Sequence, residues 1–136
     1  QEQMDALSWQ LKLSVLMENY QRVSHQERRM VVNDKESIHI ISIKEVLYGE
    51  ASGGYTFLFL KDGRKILASK NLKYFEELLL ACGFHRVHHS FLVNLQHIIR
   101  YDRSDCLLEL KSGATVPVSN RKKEALTEAL NNQMFL

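Results

Sequence analysis

The sequence predicts a mainly β domain, built of small antiparallel sheets with short flanking helices and preceded by an amphipathic linker helix. Three observations carry this. From residue 30 onward apolar residues recur with a period of two in short β-branched and aromatic runs, such as Tyr55-Thr56-Phe57-Leu58-Phe59-Leu60. Turn residues separate successive runs: Gly53-Gly54, Lys61-Asp62-Gly63 and Ser112-Gly113. A chain of 136 residues, 45% hydrophobic and 25% charged, is one globular domain's worth with some length to spare.

The spare length lies at the front. Ala6, Trp9, Leu13, Leu16, Tyr20 and Val23 are spaced by alternating steps of three and four, with Leu7, Leu11 and Val15 widening the stripe. No Gly or Pro interrupts the run through Arg29, so residues 1–29 read as a linker helix. Its spacing suits a twin helix in a dimer or the body of its own domain, and both readings stand. Residues 30–136 form the domain proper.

Within the domain, strands are expected around Ile38 and Ile40, at 46–48, 55–60, 64–68, 98–101, 106–111 and 115–118, with Val87 and a short apolar piece at 91–93 between, a total of seven or eight. Asp62-Gly63 marks a hairpin, because Gly takes positive φ without the steric cost other residues meet. Ser69 is placed to cap a helix over 70–82 with Leu72, Phe75 and Leu79 inward, stopped by Gly83. Ser119 is placed to cap a last helix over 120–131, with Ala125, Leu126, Ala129 and Leu130 on its inner face.

The net charge of +2 conceals a gradient, for residues 84–123 hold seven basic and three acidic side chains together with His85, His88, His89 and His97. An anionic partner is one reading of that segment and a plain solvated face the other. No apolar run approaches the roughly 20 residues that cross a bilayer, so no membrane partner is expected. The first residues, Gln1-Glu2-Gln3-Met4-Asp5, have neither an initiator Met nor the layout of a signal peptide, and the chain is read as a fragment of something longer. Two cysteines, Cys82 and Cys106, without CxxC spacing, read as small core residues of a protein from a reducing cytoplasm.

The phosphate-binding loop, dinucleotide fingerprint, nucleophile elbow and zinc-protease motif are all missing, so no enzyme and no cofactor are expected. Cys82, His85 and His88 fall at three-residue steps and offer thiolate and imidazole, the donors zinc prefers. Gly83 breaks the helix that would align them, and Cys82 fits an apolar helix face, so no metal site is assigned. Two polar runs remain: Arg86, His88, His89 and Ser90, and Ser119 through Lys123. Hydroxyls, amides and cations near helix starts can hold phosphates, and Arg, His or Asn can read base edges. The aromatic residues lie mainly within apolar runs instead of on a stacking platform, which favours DNA over RNA.

These residues carry a family resemblance. Ile43 to Tyr48, Gly54-Tyr55, the string from Phe84 to Asn94 and Val116-Pro117-Val118-Ser119 resemble the LytTR family of bacterial DNA-binding domains, over about residues 30–131. The resemblance implies a mostly β domain that grips duplex DNA with loop and sheet-edge residues. It also implies the C-terminal output half of a two-component response regulator, behind a phosphoryl-accepting receiver domain and a linker. Carried over by position, it implies base contacts from Tyr55, His89 and Arg121, with Arg121 and the Tyr55 loop in neighbouring major grooves and His89 near the minor groove between. Arg86, Ser90, Asn120, Lys122 and Lys123 would hold phosphates. His89 stands where the family more often carries Arg or Asn. A homodimer on repeated half-sites is the expected assembly. Plainer roles also fit: Tyr55 as a strand residue packing on the sheet, His88 as a hydrogen-bonded structural histidine, and Asn94 satisfying backbone groups at a turn. Two readings from other functional classes stay open: a protein-interaction or dimerisation module with an incidental basic face, and a metal-binding protein using Cys82, His85 and His88.

Overall fold

The computed structural model describes residues 8–16 and 28–132. Residues 8–16 are helical (α1) and exposed at every position. Most of the rest of the expected linker helix, including Ala6, Leu7, Tyr20 and Val23, lies outside the described residues, but its expected end does not hold: Arg28 is not helical and Arg29 already opens the first strand, paired with Ser42.

The described part of the domain holds ten strands in three antiparallel sheets. A two-stranded sheet pairs β1 (Arg29–Asn33) with β2 (Ile38–Ser42). A five-stranded sheet runs β5-β4-β3-β7-β6, from β3 (Val46–Ser52), β4 (Tyr55–Leu60), β5 (Lys65–Ala68), β6 (Phe84–His88) and β7 (Phe91–Asn94). A three-stranded sheet runs β10-β9-β8, from β8 (Ile98–Asp102), β9 (Leu107–Leu110) and β10 (Thr115–Pro117). The mostly β architecture is the expected one, and the strand count exceeds the expected seven or eight. β1 pairs across a short turn with β2, Val87 lies within a full strand, β6, and the short piece expected at 91–93 is its paired strand β7.

Alternation explains the layering. In β4, Thr56, Leu58 and Leu60 are buried on one face while Tyr55, Phe57 and Phe59 point to the other. On the first face Leu58 and Leu60 join Met30, Val32, Ile41 and Ile43 of the small sheet and Leu72, Phe75 and Leu79 of helix α2 (Leu72–Leu78) and its C-cap. On the second face Val87 and Val93 join Leu108, Leu110, Val116 and Leu126 of the three-stranded sheet and helix α3 (Lys123–Asn131). The five-stranded sheet is therefore the middle layer between two separate cores.

Several expected details are revised. Asn71, not Ser69, caps α2, its Oδ1 accepting from the Tyr74 N–H at 2.9 Å, and the α-helix ends at Leu78 before a 3-10 turn over Leu80–Cys82. Gly83 then stops the helix in the left-handed region, at φ +84, as glycine does best. Ser119 gives no side-chain cap: a 3-10 turn, Asn120–Lys122, precedes α3. On α3, Leu126 is fully buried and Ala129 and Leu130 pack against it, whereas Ala125 is exposed. Cys82 packs partly against the first core, but Cys106 is not a core residue. It enters β9 at φ +55, half-exposed, with its Sγ 3.7 Å from the Arg103 carbonyl.

Candidate nucleic-acid interface

Three backbone hydrogen bonds assemble the site. The Ser119 N–H donates to the Val87 carbonyl at 2.9 Å, which hangs the Asn120–Lys122 turn on β6 one residue from His88. The Lys122 N–H donates to the Ser119 carbonyl at 3.0 Å and closes that turn. The Ala51 N–H donates to the Ser90 carbonyl at 2.9 Å, joining the end of β3 to the β6–β7 turn. The pairing of β6 with β7 shifts register between Arg86 and His88, and this irregularity sends Val87 into the second core while its neighbours face the surface.

A cleft of about 280 Å³ results, lined by Glu76, Arg86, His88, His89, Ser119, Arg121 and Lys122. Two sequence runs 30 residues apart thus converge on one concave surface, with His89 and Arg121 exposed on it. Arg86 is largely embedded, its side chain 18% exposed. Its Nε donates to the His88 carbonyl at 3.0 Å, one terminal nitrogen to Glu76 Oε1 at 2.8 Å, and the other to the His89 carbonyl. His88 uses Nδ1 to accept from the Ser90 N–H at 3.0 Å and sets its ring edge against Phe91, the structural role expected of it. Nδ1 as acceptor requires an unprotonated nitrogen there, so any proton on a neutral His88 ring sits on Nε2.

The remaining site residues lie around this cleft at different distances. Ser90 is half-exposed in the β6–β7 turn, and Asn120 is exposed in the turn that carries Arg121; neither lines the cleft. Lys123 is half-exposed and lines an adjoining open groove of about 810 Å³ with Tyr101, Arg103, Arg121 and Glu128. The sulfur of Cys106, together with Tyr101, pushes the Lys123 ammonium up, so it stays cationic. His85, beside the cleft, is held below its ordinary value by burial and the charge of Lys122, with Glu76 opposing. Tyr55 is not brought into the cleft. It is 44% exposed at the start of β4, opposite Ser52, and lines a separate hollow of about 60 Å³ with Lys35, Leu67 and Ser69. The hairpin it belongs to is tied to the cleft through the pairing of β3 with β7 and the Ala51–Ser90 bond at its end.

Asn94 is 1% exposed and serves the backbone as expected: its Nδ2 donates to the Val46 carbonyl at 3.0 Å and its Oδ1 accepts from the Gln96 N–H at 3.1 Å. Among the described residues no three His, Cys, Asp or Glu side chains gather as a metal centre, so Cys82, His85 and His88 do not form one.

The LytTr DNA-binding domain family matches residues 36–131. The chain belongs to the LytTR family. A solved LytTr DNA-binding domain from Bacillus cereus, described as part of a methyl-accepting/DNA response regulator, is 27% identical. It superposes with a TM-score of 0.65 over 75% of this chain and 95% of that one. No curated protein matches. The LytTR match takes in all eight expected site residues and leaves α1 and β1 outside it.

Sequence reasoning missed Glu76, Tyr101 and Arg103, which line the LytTR cleft and groove. The basic tally of residues 84–123 included Arg103 without marking its place. Glu76 carried no local signal, because its partner Arg86 is ten residues away across the end of a helix.

Proposed function

We propose that this LytTR domain binds duplex DNA in a sequence-specific way, as the output part of a cytoplasmic bacterial transcription regulator of the two-component type, without catalysing a reaction. The observation that carries the reading is the convergence of Arg86, His89, Arg121 and Lys122 on one cleft in a chain of a DNA-binding family. Arg121 and His89 read base edges from it, and Tyr55 reads from the neighbouring hairpin. Ser90, Asn120, Lys122 and Lys123 hold phosphates on either side. Arg86 has three of its nitrogens engaged within the fold and offers a phosphate only the two N–H groups left over.

In this reading residues 30–136 are the DNA-binding unit and residues 1–29 connect it to an upstream receiver domain. Helix α1 also favours a second role, pairing of two copies on repeated half-sites. Trp9, Leu13 and Leu16 follow one another at helical spacing and are 68%, 52% and 61% exposed, an apolar stripe with nothing from the rest of the described chain upon it. Light scattering on the whole chain and on a form lacking residues 1–29 tests that role, which requires a dimer only in the former.

Selection from a random duplex pool at two salt concentrations tests the main reading. An enriched motif is the expected result, with log K falling by roughly 0.9 per log unit of salt for each phosphate neutralised. Binding without enrichment that vanishes at the higher salt reduces the cleft to a nonspecific basic face.

A further inference from the structure

Glu76 is a carboxylate inside a cleft otherwise lined by Arg86, Arg121, Lys122, two histidines and Ser119. An anion-binding surface gains nothing from it by charge alone, since it repels the phosphates the cations attract. The geometry points to Glu76 as a positioning and specificity-determining residue of the DNA site, an inference that rests on the DNA-binding reading above. Glu76 Oε1 takes a terminal nitrogen of Arg86 at 2.8 Å, with the two side chains 35% and 18% exposed. The same guanidinium donates to the carbonyls of His88 and His89, so Glu76 fixes the plane of the fork that holds the turn presenting His89. The carboxylate also occupies the edge of Arg86 that a phosphate would otherwise take in two-point fashion. DNA backbone is thereby directed to the outer cations, Lys122 and Lys123, whatever its sequence, while the inner guanidinium is kept for shaping the turn.

Both effects fail together when the charge of Glu76 is removed. In Glu76→Gln a weaker neutral acceptor faces Arg86, the turn loosens, and a phosphate can compete for the guanidinium. Affinity for scrambled duplex rises and its log K against log salt slope steepens by up to about 0.9, the increment for one more phosphate. Discrimination between the selected motif and scrambled duplex falls by roughly 5-fold, the size of a coupling between residues in one hydrogen-bonded network. Glu77 is the control: it neighbours Glu76 in α2, is exposed, and lines neither cleft nor groove.

The experiment measures wild type, Glu76→Gln, Glu77→Gln, His89→Ala and the Glu76→Gln/His89→Ala pair on motif and scrambled duplexes across salt. Support requires a steeper slope and reduced discrimination in Glu76→Gln but not in Glu77→Gln, and no further loss of discrimination when Glu76→Gln is added to His89→Ala. Equal behaviour of the two glutamine variants overturns the inference and leaves Glu76 a surface charge. A lowered melting temperature with slope and discrimination unchanged overturns it in favour of a structural role. A wild-type protein that binds no duplex overturns the DNA reading itself, and this inference with it.

Discussion

Replacing Asn94 with Ala removes two hydrogen bonds at the place where β7 is stapled to β3. The Val46 carbonyl loses its donor in a residue with no exposed surface, whereas the Gln96 N–H belongs to an exposed residue and can turn to water. The bond to Val46 is worth about 1 kcal/mol and the stranded buried carbonyl adds about 1–3 more, giving a loss of roughly 2–4 kcal/mol. Asn94→Asp goes further, because an oxygen replaces the donating nitrogen opposite the Val46 carbonyl. Ionised, that oxygen repels the carbonyl; protonated, its O–H restores the bond. The folded-state pKa of the new carboxyl must then lie above the unfolded value of about 3.9, and the folded chain holds the proton more tightly. Stability of Asn94→Asp accordingly declines as pH rises from about 4 up to the raised folded-state value. Urea unfolding of both variants from pH 4 to 7, with unchanged m-values, measures the effect. A loss below about 1 kcal/mol for Asn94→Ala, or an Asn94→Asp curve parallel to wild type in pH, refutes the role of the staple.

The wild-type protein is expected to show the opposite pH trend from its histidines. Burial holds His97 below its ordinary value of 6.5 although the Lys44 carbonyl accepts from its Nε2 at 2.7 Å, and burial with Lys122 does the same to His85. The unfolded rings take up protons as pH drops through about 6.5 more readily than the folded rings, so stability falls with acidification from there down to the lowered folded values, as urea midpoints at pH 5.5 and 7.5 will register. Arg121→Ala should remove about 1–3 kcal/mol of discrimination at particular base pairs, seen as a flattened position in the selected motif; equal losses on motif and scrambled DNA contradict a base contact. Lys122→Ala should weaken all duplexes alike and lower the salt slope by about 0.9, which a titration across salt resolves. Leu126→Ala, at a position with no exposure in the second core, should cost about 2–5 kcal/mol in urea unfolding, since the emptied volume is walled by strands that cannot close on it.

What the sequence makes legible is what local chemistry decides. The period-two runs at Tyr55 to Leu60 and Ile98 to Tyr101, the Asp62-Gly63 hairpin with Gly63 at φ +90, and the stop at Gly83 all follow from side-chain patterning and steric freedom. Caps were less legible, because Ser69 and Asn71 are both competent and only the path of the chain out of β5 selects Asn71. β6 escaped full recognition because a register shift at Arg86 to His88 breaks its alternation. In the site, the two basic runs were visible as charge and by resemblance, but their meeting depends on the Ser119–Val87 hydrogen bond, a long-range contact with no trace in spacing. Glu76 was invisible for the same reason.

The middle sheet faces two cores, and this divides the molecule by how each part can come undone. Strands β3 and β7 are sealed from both sides, so their amides should exchange with solvent only on global opening, whereas α3 and the three-stranded sheet can lift away while α2 and the small sheet stay closed. Arg121 and Lys122 ride on the part that lifts, and His89 stays with the part that remains. Warming is therefore expected to separate Arg121 and Lys122 from His89 before the middle sheet opens. If the proposed DNA-binding reading holds, duplex binding is expected to fail on warming with the opening of one outer layer, ahead of the middle sheet.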